Sequence, residues 1–210
     1  MLDHTLLRPE ATREDVAALA EEGEALGVAS ICISASRVCD APRLVPIACV
    51  VGFPSGAHRA DVKVLEAQRA IKDGAAEIDM VLDLGAAHGS QFDVVRREIE
   101  MVRAAAADTP LKVILESATF EPERLRELAI LACESGADFL KTSTGFHPAG
   151  GAVVESVALL ASVAASFGRG IGVKASGGIR DYATAIRMID AGATRIGTSA
   201  AGAILEGAPI

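Results

Sequence analysis

A chain of 210 residues, half of them hydrophobic, with six Phe, one Tyr, no Trp and a formal charge of −8, suits one domain able to bury a sizeable core. Its apolar content excludes a disordered chain, and its acidity argues against nucleic acid, since phosphate binding needs clustered basic side chains. No apolar run reaches the roughly 18 residues that span a bilayer, so no membrane association is expected.

The opening MLDHTLLRPE lacks the apolar stretch of a secretory signal, and a cytoplasmic location is expected. Cys32, Cys39, Cys49 and Cys133 show no CxxC spacing and read as reduced thiols. In chain order, short runs of β-type composition fall at Leu2–Leu7, Val28–Ser34, Ile47–Phe53, Glu77–Asp83, Leu111–Ser117, Asp138–Ser143, Gly172–Ala175 and Thr194–Thr198. Between them lie stretches of helical period near 12–26, 36–44, 60–73, 91–107, 122–135, 152–167, 181–191 and 200–206. In 91–107, Val94, Ile99, Met101 and Val102 are set against Arg96, Arg97, Glu98 and Glu100. Gly74-Ala75, Gly136-Ala137 and Gly192-Ala193 precede strands, where glycine closes the preceding helix.

Eight strands alternating with eight helices predict a parallel sheet, because each crossover helix returns the chain to the same edge. With about 26 residues per unit and no GxGxxG after a strand, a closed (β/α)8 TIM barrel is expected over an open doubly wound sheet. No linker or charge block interrupts residues 1–210, which read as a single (β/α)8 barrel catalytic domain.

Strand alternation places the chemistry, since side chains i and i+2 share a face. Glu77, Asp79 and Val81 are expected to point into the barrel, opposite apolar Ile78, Met80 and Leu82. Lys112, Ile114 and Glu116 follow on the fifth strand, Phe139, Lys141 and Ser143 on the sixth, and Lys174 on the seventh. Such charges form either a structural ion-pair network or a site, and active sites lie at the C-terminal ends of barrel strands. Lys141 and Lys174 lie late in their strands, whereas Lys112 lies deeper, placed to neutralise Glu116 or Asp79. A lysine with its ordinary pKa of about 10.4 is a poor nucleophile at neutral pH. A second cation and desolvation free the amine to attack a carbonyl. Two lysines with Asp79 as a proton relay therefore point to Schiff-base chemistry, with either lysine eligible as the nucleophile.

The loops after the last two strands read Ala175-Ser176-Gly177-Gly178-Ile179-Arg180 and Gly197-Thr198-Ser199-Ala200. In such barrels these loops bind phosphate through backbone N–H groups, with hydroxyls such as those of Thr198 or Ser199 and a short helix from about Ala200 adding donors. Arg180 either assists or pairs on the surface with Asp181 or Glu206.

The segments Asp3-His4-Thr5-Leu6-Leu7, Glu77-Ile78-Asp79-Met80-Val81, Lys141-Thr142-Ser143-Thr144-Gly145, Gly172-Val173-Lys174-Ala175-Ser176-Gly177-Gly178 and Arg195-Ile196-Gly197-Thr198-Ser199 together resemble the deoxyribose-phosphate aldolases. The likeness runs through the whole chain in the same order. It implies a class I aldolase, free of metal and cofactor, that interconverts 2-deoxy-D-ribose 5-phosphate with D-glyceraldehyde 3-phosphate and acetaldehyde. Its partners are then a small phosphorylated sugar and acetaldehyde, and a homodimer is left open. Matched residue by residue, the resemblance assigns the Schiff base to Lys141, the second lysine to Lys174 and the acid/base carboxylate to Asp79. Substrate contacts fall on Asp3, Thr5, Leu7 and Thr144, and phosphate contacts on Gly145, Gly177, Gly178, Gly197 and Ser199.

The chain departs from the family at Ser34-Ala35, where an Asn/Tyr-Pro pair is usual, and at Glu116-Ser117-Ala118-Thr119, where Glu-Thr-Cys is common. It begins two residues before Asp3, without the helix that usually precedes this segment, and ends Gly-Ala-Pro-Ile instead of in a tyrosine tail. His4, His58, His88 and His147 form no HxH or HxxxH pair, against a metal aldolase. Cys32 shares the inward face with Ser30 and Ser34 and reads more readily as a small buried residue than as a functional thiol. Phe53, Phe139 and Phe146 either close the pocket or fill the core. Two other readings compete: a phosphosugar isomerase or lyase of the phosphate-binding barrel group, and a non-catalytic barrel that binds a phosphorylated metabolite.

Overall fold

All eight expected strands form, and each pairs in parallel with its sequence neighbours until the last closes on the first. The computed structural model describes residues 1–209. The strands are β1 (Leu2–Leu6), β2 (Ser30–Ser34), β3 (Ile47–Val51), β4 (Glu77–Val81), β5 (Leu111–Ile114), β6 (Phe139–Lys141), β7 (Gly172–Ser176) and β8 (Arg195–Thr198). The helices are α1 (Arg13–Leu26), α2 (Ala60–Lys72), α3 (Leu84–His88), α4 (Phe92–Ala106), α5 (Pro122–Glu134), α6 (Val154–Ser166), α7 (Tyr182–Asp190) and α8 (Ala201–Glu206). The result is a single (β/α)8 TIM barrel. Among the described residues no helix is long and apolar enough to cross a membrane.

Local chemistry explains where the helices start. Thr12 and Asp15 form a reciprocal capping box ahead of α1, Pro122 occupies the first turn of α5, and the Asp181 carboxylate accepts from Thr184 N ahead of α7. The helices bury one face against the outside of the sheet, where Ile31, Ile33, Ile78, Met80, Leu111, Val113, Leu140 and Ile196 supply the main apolar layer.

Three expectations need correction. Residues 36–44 do not form an α-helix: a 3-10 turn covers Ala35–Asp40, and Ala41 is extended because Pro42 disfavours helical backbone before it. The fourth strand stops at Val81, and Asp83 instead caps the short α3 by accepting from Ala86 N at 2.9 Å. On α4 the buried stripe is Val95, Ile99, Val102 and Ala106, while Val94 faces solvent. Glu98, read as a solvent-facing charge, is buried there, bonded to the buried Lys63 of α2 at 2.6 Å and accepting from Asp83 N.

Candidate active site

The barrel lumen has an apolar side and a charged side. On the first, Cys32, Ala48 and Val50 of β2 and β3 pack with Leu7 and Phe53. The charged side runs from β4 round to β1. Lys112 lies 2.6 Å from both Asp79 and Glu77. Arg195 joins Glu77, at 3.3 Å, to Asp3, at 2.6 Å. Lys174 joins Asp3, at 2.6 Å, back to Asp79, at 2.7 Å. Six groups of alternating sign thus close a ring across the lumen. Lys141 hangs from it, its Nζ 2.7 Å from Asp79 Oδ2, the same oxygen that Lys174 holds. The ring of Phe139 faces both Lys112 and Arg195, at 6.0 and 5.6 Å, on the side of the strands' N-terminal ends.

Parallel register produces this arrangement. Lys141 pairs directly with Lys174 across β6 and β7, and Asp79 with Lys112 across β4 and β5, so alternation aims all four inward. Burial by itself would raise the pKa of Asp79, but Lys112, Lys141 and Lys174 outweigh it and hold the carboxyl well below its usual range. Asp3 is likewise held low, mainly by Lys174, against the pull of burial. Burial would push Lys174 down, yet the carboxylates of Asp79 and Asp3 keep it well above an ordinary lysine. Lys141 goes the other way: burial lowers it, repulsion from Lys174 adds to that, and its share of one Asp79 oxygen only partly offsets them. Of the paired lysines, Lys141 therefore gives up its proton first.

A cavity of about 340 Å³ opens above Lys141 and Lys174. Thr5, Leu7, Thr144, Gly145, Gly177, Gly178, Gly197 and Ser199 line it, as do Arg8 and Arg180. The two loops that close it are fixed from below: the Thr142 hydroxyl accepts from Ser176 N and donates to Ser176 O, and Ser176 Oγ donates to Ser143 O at 2.6 Å. Gly177 has φ 91°, and a side chain there would come within 2.9 Å of Gly151 Cα. A Cβ on Gly197 would stand 2.9 Å from Lys174 Cε, so the bare backbone leaves room for the lysine stem.

Most of the residues singled out in the sequence meet here, with several differences. Asp3 is fully buried and bonded to Lys174 and Arg195; it does not line the cavity. Lys112 neutralises Asp79 and Glu77 and not Glu116. Glu116 lies beyond β5 with a left-handed backbone, φ 52°, and its buried carboxylate accepts from Thr144 Oγ1 at 2.6 Å and Thr144 N at 3.3 Å. The Thr198 hydroxyl donates to Ile179 O at 2.7 Å, tying the two loops together, so it is not free to donate to an anion. Among the described residues Arg180 has no carboxylate within ion-pair distance; neither of its alternative surface partners, Asp181 and Glu206, pairs with it, and Asp181 caps α7. Phe53 and Phe146 meet edge to face, with centroids 5.2 Å apart, Phe146 at the cavity mouth. Cys32 is buried, its Sγ 4.0 Å from Asp79 Oδ2, and burial raises its thiol pKa. Among the described residues no group of three His, Cys, Asp or Glu side chains is placed to hold a metal ion.

Sequence reasoning did not single out Arg195 or Arg8 for a role. Arg195 stands at the head of β8, and its Asp3 partner is 192 residues away, so no local pattern announced it. Arg8 lies just past β1, where it pairs with Asp15 at 2.8 Å, and its only sequence signal was position beside Leu7.

Residues 1–206 match the family model described as DeoC/LacD family aldolase. A protein of Kocuria rhizophila named deoxyribose-phosphate aldolase is 52% identical over 209 residues, covering 99% of this chain and 94% of its own length. One of the same name from Mycobacterium tuberculosis is 52% identical over 213 residues, with the same coverage of 99% and 94%. The solved deoxyribose phosphate aldolase of Aeropyrum pernix, described as a unique tetrameric structure, superimposes with a TM-score of 0.88 at 36% identity, over 98% of this chain and 88% of that one.

Proposed function

The chain belongs to the DeoC/LacD aldolase family, and from that premise we propose that Lys141 is the Schiff-base nucleophile of a class I aldolase reaction. The reaction is the reversible aldol cleavage of 2-deoxy-D-ribose 5-phosphate to D-glyceraldehyde 3-phosphate and acetaldehyde, a carbon–carbon lyase activity. The isomerase and binding-only readings are not favoured, because relatives named as aldolases match the chain from end to end. The observation that carries the residue assignment is the sharing of one Asp79 oxygen by Lys141 and Lys174 beneath the cavity.

The neutral Lys141 amine attacks C1 of the open-chain aldehyde, and loss of water from the carbinolamine gives an iminium. Asp79, acting through water and Lys174, takes the proton of the C3 hydroxyl as the C2–C3 bond breaks and its electron pair flows into the iminium. Glyceraldehyde 3-phosphate leaves, the enamine takes a proton at C2, and water releases acetaldehyde and regenerates Lys141. Thr5, Leu7 and Thr144 contact the sugar, and the backbone at Gly145, Gly177, Gly178 and Gly197, with Ser199, holds the phosphate. The fixed phosphate supplies binding energy that orients the reacting carbons. Arg180, on the cavity wall without a carboxylate partner among the described residues, fits the same anion.

The same proposal takes residues 1–210 as one catalytic domain, supported by the closure of β8 on β1, and places it in the cytoplasm. Self-association, with a homodimer as the smallest form, is supported by exposed Val62, Leu65 and Val94 on α2 and α4 and is read by sedimentation.

Borohydride reduction in the presence of acetaldehyde tests the assignment. An adduct of reduced acetaldehyde on Lys141, located by peptide mass spectrometry and absent from Lys141→Ala, is expected. Trapping that persists in Lys141→Ala overturns it.

A further inference from the structure

We propose that Arg195 and Glu77, at the floor of the ring, set the charge balance that leaves the Lys141 amine unprotonated: Arg195 is a positioning residue acting through Asp3 and Lys174, and Glu77 opposes it through Lys112. This rests on Lys141 being the nucleophile.

Every strand contributes to the surroundings of Lys141. β4 supplies Asp79 and Glu77, β5 Lys112, β7 Lys174, β8 Arg195 and β1 Asp3. β2 supplies the Cys32 thiol, and β3 only the apolar Ala48 and Val50. The ring holds three carboxylates, Asp3, Glu77 and Asp79, and three cations, Lys112, Lys174 and Arg195, so its formal charge is zero. Each ring cation touches two carboxylates. Lys141 touches one, at an oxygen already shared with Lys174. A protonated Lys141 is then a fourth positive charge against three negative ones in a buried site, and losing its proton restores the balance.

Arg195 carries a guanidinium that stays charged at any working pH. Its removal leaves a surplus negative charge, and the group able to answer it by taking a proton is Lys141, which reaches the cavity. Removal of the Glu77 charge has the opposite effect, because the cations that it held then repel the Lys141 ammonium. The paired outcome separates this role from a scaffolding one. Loss of packing lowers rate at every pH, whereas a charge balance moves the profile, in opposite directions for the two residues.

The test is the pH dependence of kcat/KM for cleavage between pH 5 and 9 in the intact enzyme. In Arg195→Met the acid limb is expected to move to higher pH, and in Glu77→Gln to lower pH. Each shift is on the order of one pH unit, as for a unit charge about 10 Å away in a protein-like dielectric. Arg195→Lys, which keeps the charge, is expected to keep the wild-type limb. Unmoved limbs, or shifts of the same sign, overturn the proposal. If Arg195→Met does not fold, the direction in Glu77→Gln decides it alone. Borohydride trapping in the wild type is read alongside: an adduct on Lys141 with unmoved limbs defeats the charge-balance role only, whereas no adduct on Lys141 defeats the assignment beneath it.

Discussion

Lys141 and Lys174 stand opposite each other in register on β6 and β7, and both amine nitrogens lie 2.7 Å from one oxygen of Asp79. Two groups of identical chemistry therefore receive opposite treatment. Lys174 also has Asp3 and is held cationic, whereas Lys141 has no second carboxylate and is driven towards the free amine.

The first prediction concerns pH and Lys174. With the Lys141 pKa below its ordinary value of 10.5, cleavage should rise about tenfold per pH unit on the acid side and level off once Lys141 is deprotonated. Lys174→Leu removes the cation that repels Lys141 and leaves Asp3 and Asp79 with one partner fewer. The rate at neutral pH should fall by about 10²–10⁴-fold, the usual worth of a positioned proton-transfer group, with the acid limb displaced upward. A pH–rate series on the variant checks both.

Stability should follow the carboxylates. Asp79 and Asp3 have folded-state pKa values below 3.8, so their contribution is complete above the unfolded value and is lost as pH falls through the folded one. Thermal melts should show Tm holding near pH 6 and dropping below about pH 4, where unfolded carboxyls begin to bind protons. Asp79→Asn should flatten that acid drop.

Glu116 anchors the start of the loop that carries Thr144 and Gly145. A non-glycine residue in left-handed backbone costs on the order of 1–3 kcal/mol and persists where surrounding contacts impose it. Glu116→Gly should relieve the backbone while releasing Thr144. The expected result is a KM for deoxyribose phosphate raised about tenfold, with a smaller change in kcat, and steady-state kinetics read the split.

The buried Lys63–Glu98 pair joins α2 to α4 and holds Val81 O and Asp83 N, just past Asp79 on the chain. Glu98→Ala strands the Lys63 ammonium and should cost about 3–5 kcal/mol, whereas Lys63→Met with Glu98→Leu should cost less. Denaturant melts of the two variants check the order; a double variant weaker than Glu98→Ala contradicts it.

Asp79, Lys112, Lys141 and Lys174 were legible because strand alternation is strict: one inward residue places every second neighbour. The same rule reached Glu77 but did not bring Arg195 or Asp3 into the ring. Arg195 opens its strand beside Thr194, with no alternation upstream to orient it, and only the closure of β1 on β8 brings it to Asp3, a residue expected as a substrate contact. Lys63 and Glu98 have the sequence of solvent-facing helix positions, and only the packing of α2 on α4 buries them. Glu116 carried no mark of its backbone, since a glycine would have signalled a left-handed turn and a glutamate does not. Residues 36–44 carry a helix-like pattern, but Pro42 outweighs it.

Among the described residues, Phe139 and the ionic ring above it fill the floor of the lumen, and its doorway lies at the end where Phe146 stands. Traffic through that doorway has an order. With Lys141 as the proposed nucleophile and the glycine loops as the proposed phosphate site, the two-carbon fragment is tethered at the blind end while the phosphorylated fragment lies nearer the exit, so the larger product is expected to depart first. In the synthetic direction acetaldehyde must enter before its partner, and an excess of the phosphorylated aldehyde should obstruct the enzyme by arriving out of turn.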